Sequence, residues 1–219
     1  MPRLLFEKTG TAVWISHLDL MRVFQRAFKR AGLMLTHTQG FNPRPSVSIA
    51  LPLSVGVESI CELLDFDLDG EAVACGEILT RLNQALVPGV RVREVYETGR
   101  KLKELAYLHV TLFLEYDNSI PEEGAEAIEA LFTGETLIVP KKGKNGIQDQ
   151  DIIPMIKSIT VQRAGEGELV LESMICCQNP TLNPMQIPAA IALHLPRWKP
   201  DFVKCRRMEI FDVNQNLFR

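Results

Sequence analysis

Three arginines, Arg22, Arg26 and Arg30, recur every fourth residue with Lys29 beside the last of them, a spacing that sets four cations on one side of a helix. Guanidinium groups grip phosphate through paired donors, and each neutralised phosphate releases counterions, so the row suits a polyanionic backbone; it also suits a solvated amphipathic face. His17 stands at the first turn of the same helix, next to its Ser16 cap. There it is a candidate acid or base for a ribose hydroxyl, or a structural hydrogen-bonding residue. Further on, Gly40-Phe41-Asn42-Pro43-Arg44-Pro45 combines a ring that can stack on a base, an amide that can read a base edge and an arginine held between two prolines. The alternative is a turn in which Phe41 plugs the core and Asn42-Pro43 sets the bend. Lys141 and Lys142, with Lys144, form a second basic point that Asp149 and Asp151 partly cancel.

Charge gives these residues a setting. Residues 1–50 carry seven Lys or Arg against two acids, a net of +5, while the whole chain is −3 and its other 169 residues therefore carry −8. One positive end on a chain with a pI near 5.9 is suited to meeting an anion. At 219 residues and 46% hydrophobic content, the chain can bury a core. Its apolar runs fall short of the roughly 18 residues of a membrane span, and Met1-Pro2-Arg3 leads straight into a strand-like pattern, so the expected location is cytoplasmic, without a membrane partner. The five cysteines are odd in number and show no C-x-x-C spacing. Buried thiols are expected rather than disulfides, with no metal site and no cofactor. Phosphate-loop, dinucleotide-binding, zincin and nucleophile-elbow motifs are missing from the sequence. The acidic run Asp65, Asp67, Asp69 reads as a solubility feature.

The elements that must position these groups follow from periodicity. Arg3 to Lys8 and Ala12 to Ser16 read as a kinked strand or short hairpin around Thr9-Gly10. Ser16 caps a helix with Asp19 three residues on, Leu20, Phe24, Ala27, Phe28 and Ala31 form its inner face, and Gly32 stops it. Extended pieces at residues 33–38 and 45–50, a strand over 58–68, a helix over 71–85 and a strand over 90–96 complete a β-α-β-β-α-β order. After a charged linker near residue 100, strands over 108–116, 156–163, 168–176 and 202–213, with helices over 122–132 and from Asn183-Pro184, repeat the theme; residues 140–146 read as a loop. The expected fold class is α+β, two tandem ferredoxin-like (split βαβ) units with antiparallel sheets, residues 1–100 and 101–219.

At Arg3 to Lys8 with Gly10, Ser16-His17-Leu18-Asp19-Leu20-Met21-Arg22, Arg26-Ala27, Arg30-Ala31, Gly40 to Pro45, Leu53, Gly56 and Glu62, the chain resembles the radical SAM-linked proteins, a bacterial domain of unknown function encoded beside or fused to a radical SAM protein. The resemblance is strong over the first hundred residues and thins afterwards to the basic loop, Asp151 and Pro154. It implies work on RNA or the translation machinery, with tRNA or rRNA and a radical SAM protein as partners. This chain has no C-x-x-x-C-x-x-C, so radical chemistry would belong to the partner. The expected function is that of an RNA-binding accessory protein, more a holder than an enzyme. The alternatives are a metal-independent endoribonuclease using His17, and an interaction module whose basic end docks its enzyme partner.

Overall fold

The computed structural model describes residues 2–120, 122–143 and 146–219, apart from the side chains of Glu122 and Lys142. It divides into two compact units, Met1–Leu102 with Arg219, and Lys103–Phe218. The fold is α+β, with antiparallel strands and four α-helices among the described residues.

The first unit runs β1 (Pro2–Lys8), a 3-10 turn (Gly10–Trp14), α1 (His17–Arg30), β2 (Val47–Ile49), β3 (Val57–Phe66), α2 (Cys75–Ala85) and β4 (Val90–Glu97). Its strands lie in the order β4-β1-β3-β2, every neighbouring pair antiparallel, with Leu4 opposite both Leu64 and Val95 and Ile49 opposite Leu64. Period-two alternation sends Leu4, Phe6, Leu64, Phe66 and Val92 to one face, where Leu20, Phe24 and Phe28 of α1 and Ile78 and Leu82 of α2 meet them in one core. The Phe6 and Phe24 rings touch edge to face at 4.7 Å, and Phe28 and Phe66 lie 5.0 Å apart. Each such buried ring stabilises the fold by roughly 1.5–3 kcal/mol. At the rim, Asn83 of α2 donates to the Val92 carbonyl (2.9 Å) and accepts from the Val92 amide (2.8 Å), so its side-chain amide stands in for a strand neighbour on β4.

Several expectations change here. Residues 12–16, read as part of a kinked strand or short hairpin, instead hold the end of the 3-10 turn Gly10–Trp14, whose Ala12 and Val13 are buried. That turn lies against Gly89, where an added Cβ would come within 2.5 Å of the Thr9 carbonyl and φ is +83°, so only glycine fits. The second helix begins at Cys75 rather than at residue 71, with Ala74 extended before it. Asp65, read as a solubility residue, is instead buried and paired with Arg3, which is 1% exposed. The Arg3 Nε donates to Asp65 Oδ1 at 2.6 Å and its Nη2 reaches Asp65 Oδ2 (3.1 Å) and the Arg100 carbonyl (2.9 Å).

The second unit runs β5 (Leu105–Glu115), α3 (Glu122–Leu131), β6 (Ile138–Gly143), β7 (Gly146–Asp151), β8 (Ile156–Gly165), β9 (Glu168–Cys176), α4 (Gln186–His194) and β10 (Phe202–Asp212). The sheet order is β10-β5-β9-β8, again antiparallel throughout, with Leu112 opposite both Cys205 and Leu171. Set β6 and β7 aside, and this is the strand order of the first unit. Residues 140–146, read as a loop, belong to the hairpin those two strands make, Lys141 facing Gln148 and Lys142 facing Ile147. Asp151 anchors its base by accepting from the amides of Leu137 (2.9 Å) and Ile153 (3.2 Å). The helix expected from Asn183 starts its regular turns at Gln186, after Asn183 accepts from the Met185 amide at 3.0 Å.

Candidate nucleic-acid interface

The sequence seats α1 firmly. Ser16 Oγ accepts from the Asp19 amide at 3.2 Å and donates to Asp19 Oδ2 at 2.8 Å, so Asp19 serves the cap and the positive helix end together. With Leu20, Phe24, Ala27 and Phe28 locked inward, the opposite side must present Arg22, Arg26, Lys29 and Arg30 to water, and all four are exposed. They are not equivalent. Arg22 Nη1 pairs with Asp19 Oδ1 at 2.7 Å, and Arg30 Nη2 donates to the Ala85 carbonyl at the end of α2 at 2.5 Å. Arg26 and Lys29 form no ion pair among the described residues. The Asp19 carboxyl is held below its ordinary value of 3.8, first by the Ser16 hydrogen bond and then by the one from Arg22.

The charge balance of the first fifty residues overstates this face, because two of its seven cations are buried. Arg3 is held by Asp65, and Lys8 donates its Nζ to the Val13 carbonyl at 3.0 Å. What remains outside is the α1 row and Arg44.

The segment after α1 is tied down at its base. The Thr36 amide bonds the Asp67 carbonyl (3.0 Å) and the Ser46 amide the Thr36 carbonyl (2.8 Å), while Thr36 Oγ1 donates to Asp67 Oδ2 at 3.1 Å. Nearer the tip, the Thr38 amide meets the Arg44 carbonyl at 2.8 Å and the Arg44 amide the Thr38 hydroxyl at 3.0 Å. Gly40 takes a φ of +136°, the conformation that turns the tip. Phe41 is 100% exposed, so it plugs no core, and Asn42 and Arg44 are exposed beside it.

The remaining candidates are His17 and the lysines of the second basic point, and the other histidines of the chain are His37, His109 and His194. His17 is half-buried in the first turn of α1, and its Nδ1 is buried without a hydrogen-bond partner among the described residues. His37 is exposed at a bridge to Pro45. In the second unit, His109 Nε2 lies 3.9 Å from Glu172 Oε2 and His194 Nε2 lies 2.8 Å from the Ile138 carbonyl. Lys141 is half-buried on β6, whereas the Lys142 side chain and Lys144 lie outside the described residues. Among the described residues no group of three His, Cys, Asp or Glu side chains could hold a metal, and no helix is long and apolar enough to cross a membrane. All five cysteines are free thiols.

Sequence reasoning missed Trp14, which is 70% exposed just before the α1 cap, with Leu18 at 68% one turn on. It also passed over Arg81, Arg91 and Arg93. The Glu77/Arg81 spacing and the Arg-x-Arg of β4 were the signals for those three.

A family model described as "Uncharacterized protein conserved in bacteria (DUF2344)" matches residues 2–184, and the chain belongs to that family. No curated protein matches. Among solved structures, a chain of a Cbf5-Nop10-Gar1 complex is similar with a TM-score of 0.53 at 10% identity, over 95% of this chain and 48% of that one. A chain of the archaeal box H/ACA sRNP Nop10-Cbf5 complex matches at 0.46 and 10% identity, over 94% and 46%. This chain thus spans about half the length of those two solved chains, and its likeness to the first is one of fold.

Proposed function

We propose that this DUF2344 protein binds RNA on its first unit, with Arg22, Arg26, Lys29 and Arg30 along the phosphates and Phe41 stacked on a base between the reach of Asn42 and Arg44. The observation that carries this reading is the full exposure of Phe41 at the tip of an anchored loop whose return limb holds Pro43 and Pro45. A phenylalanine left wholly in water forgoes the roughly 1.5–3 kcal/mol that burial would give. A nucleobase restores it, because stacking on an aromatic ring contributes about 1–3 kcal/mol per base and tolerates any sequence. The cationic row supplies the electrostatic part. Arg22 to Arg30 rises about 12 Å along the helix, enough to follow a stretch of backbone.

The reading extends to architecture and partner. The order β4-β1-β3-β2, with a helix in each crossover, supports a ferredoxin-like split βαβ unit, and the order β10-β5-β9-β8 supports a second one carrying the β6–β7 hairpin as an insertion. The RNA would be tRNA or rRNA held for a radical SAM enzyme, a partner that rests on the sequence resemblance. Lys141 and Lys142 would add contacts from the second unit.

Anisotropy of a labelled single-stranded RNA, titrated at several salt concentrations, tests the core of the proposal. Log affinity should fall with log salt by about 0.7 per phosphate held. Absence of binding at low salt would overturn it. A second reading, RNA cleavage, is favoured by one observation, the buried Nδ1 of His17 in the first turn of α1, without a hydrogen-bond partner among the described residues. Labelled RNA incubated with the protein in chelator should then be cut by the native chain and not by His17→Ala; intact RNA in both removes that reading.

A further inference from the structure

Three shallow grooves follow one another around the C-terminal end of α2. The first, about 310 Å³, is lined by Arg30, Ala31, Arg81, Gln84 and Ala85. The next, about 460 Å³, lies over Asn83 and the turn at residues 86–91, and the last, about 360 Å³, is bounded by Glu7, Leu79, Asn83, Arg91, Val92 and Arg93. Residues 84 and 85 of the first adjoin 83 and 86 of the second, and the second and third share Asn83 and Arg91. An arginine stands at each stage of this path.

We propose that RNA lying along α1 continues over the end of α2, its phosphates passing from Arg30 to Arg81 and on to Arg91 and Arg93; this rests on the RNA reading above. Arg30 is the joint, since it ends the α1 row and also lines the first groove. Its Nη2 is committed to the Ala85 carbonyl, which holds the guanidinium plane in place and leaves the other donors of the fork for a phosphate. Both helices end here, and their terminal carbonyls would repel an anion; a guanidinium on one of those carbonyls offsets that field.

Farther along, Arg81 pairs with Glu77 and Arg93 Nη1 with Glu7 at 2.9 Å. The Arg81–Glu77 pair and the Arg93 end of the other are on the surface, and such pairs contribute little, so a phosphate can replace the carboxylate. Arg91 is exposed and forms no ion pair among the described residues. Asn83 keeps the path open by spending its own amide on Val92 instead of projecting across the groove. Shallow, neighbouring and arginine-lined, the grooves fit a strand passing over them better than an enclosed small molecule.

The test compares salt slopes for a fluorescent oligouridine RNA bound to the native chain, to Arg81→Gln with Arg91→Gln, and to Arg26→Gln with Lys29→Gln. Each double variant should lose about 1.4 from the slope, two phosphates at about 0.7 each, and the four changes together about 2.8. Arg91→Gln alone repeats the test with about half the change, and unaltered melting curves show that the fold survives. A groove variant with the native slope beside a helix variant with a reduced one overturns this inference and leaves the helix site standing. No binding by the native chain overturns both.

Discussion

Arg3 and Arg26 belong to the same compact unit and carry the same group, yet they answer to different physics. Arg3 is 1% exposed on β1 and is held by the Asp65 carboxylate and a backbone carbonyl. Arg26, on the outer side of α1, has water on it and no ion pair among the described residues. A buried guanidinium needs its carboxylate to exist at all, whereas an exposed one is held in reserve for something that arrives. Counting charges along a sequence adds the two together; burial separates them.

The sharpest way to break that contrast is to remove Asp65. Asp65→Ala leaves Arg3 buried without its main partner and should cost about 3–5 kcal/mol in urea unfolding. The paired change Arg3→Met with Asp65→Leu should recover most of that loss. A cost below 1 kcal/mol for Asp65→Ala would place the pair among ordinary surface contacts.

Burial also sets an alkaline limit. Desolvation lifts the Cys205 thiol from 9.0 to about 12 and Cys177 to about 11, and lifts Tyr96 and Tyr116 from 10.0 to about 12. Groups whose folded values are raised give their full contribution below the unfolded values. Stability should therefore hold to about pH 9 and decline from there toward pH 12, as the unfolded chain ionises and the folded one does not. Melting temperature against pH reads this directly, and a flat profile from pH 9 to 11 would contradict it.

The exposed side of the comparison predicts smaller and different effects. Phe41→Ala should weaken RNA binding by about 1–3 kcal/mol while changing stability by less than about 0.5 kcal/mol. Equal losses in both measurements would mean the ring packs against the protein. Smallest is the difference within α1. Arg26→Ala should lower the salt slope by about 0.7, and Arg22→Ala by less, because Asp19 already neutralises part of Arg22. Asp19→Asn should bring Arg22 level with Arg26, which a titration of the double variant checks.

How much of this was legible follows the range of the interactions. The inward stripe of α1 and its Ser16 cap are local, written in a 3.6-residue period and a three-residue spacing, and both can be read directly. The β6–β7 hairpin cannot, because Lys141, Gln148 and Asp149 lack apolar alternation and a glycine at each end of the turn reads as a loop. Asp65 looked like one acid in an acidic run. Its partner lies 62 residues away, and no local pattern reports a contact at that distance. For Phe41, sequence offers two fates for a ring between a glycine and an Asn-Pro turn, and only the anchored loop decides in favour of exposure.

The amide of Asn83 has a consequence beyond the groove it borders. By saturating both main-chain groups of Val92, it leaves a neighbouring molecule nothing to zip onto at that point of the outermost strand. Copies gathered on the proposed RNA would stand at high local concentration, where stray strand-to-strand pairing is the hazard, and the Asn83 carboxamide would block that pairing at Val92.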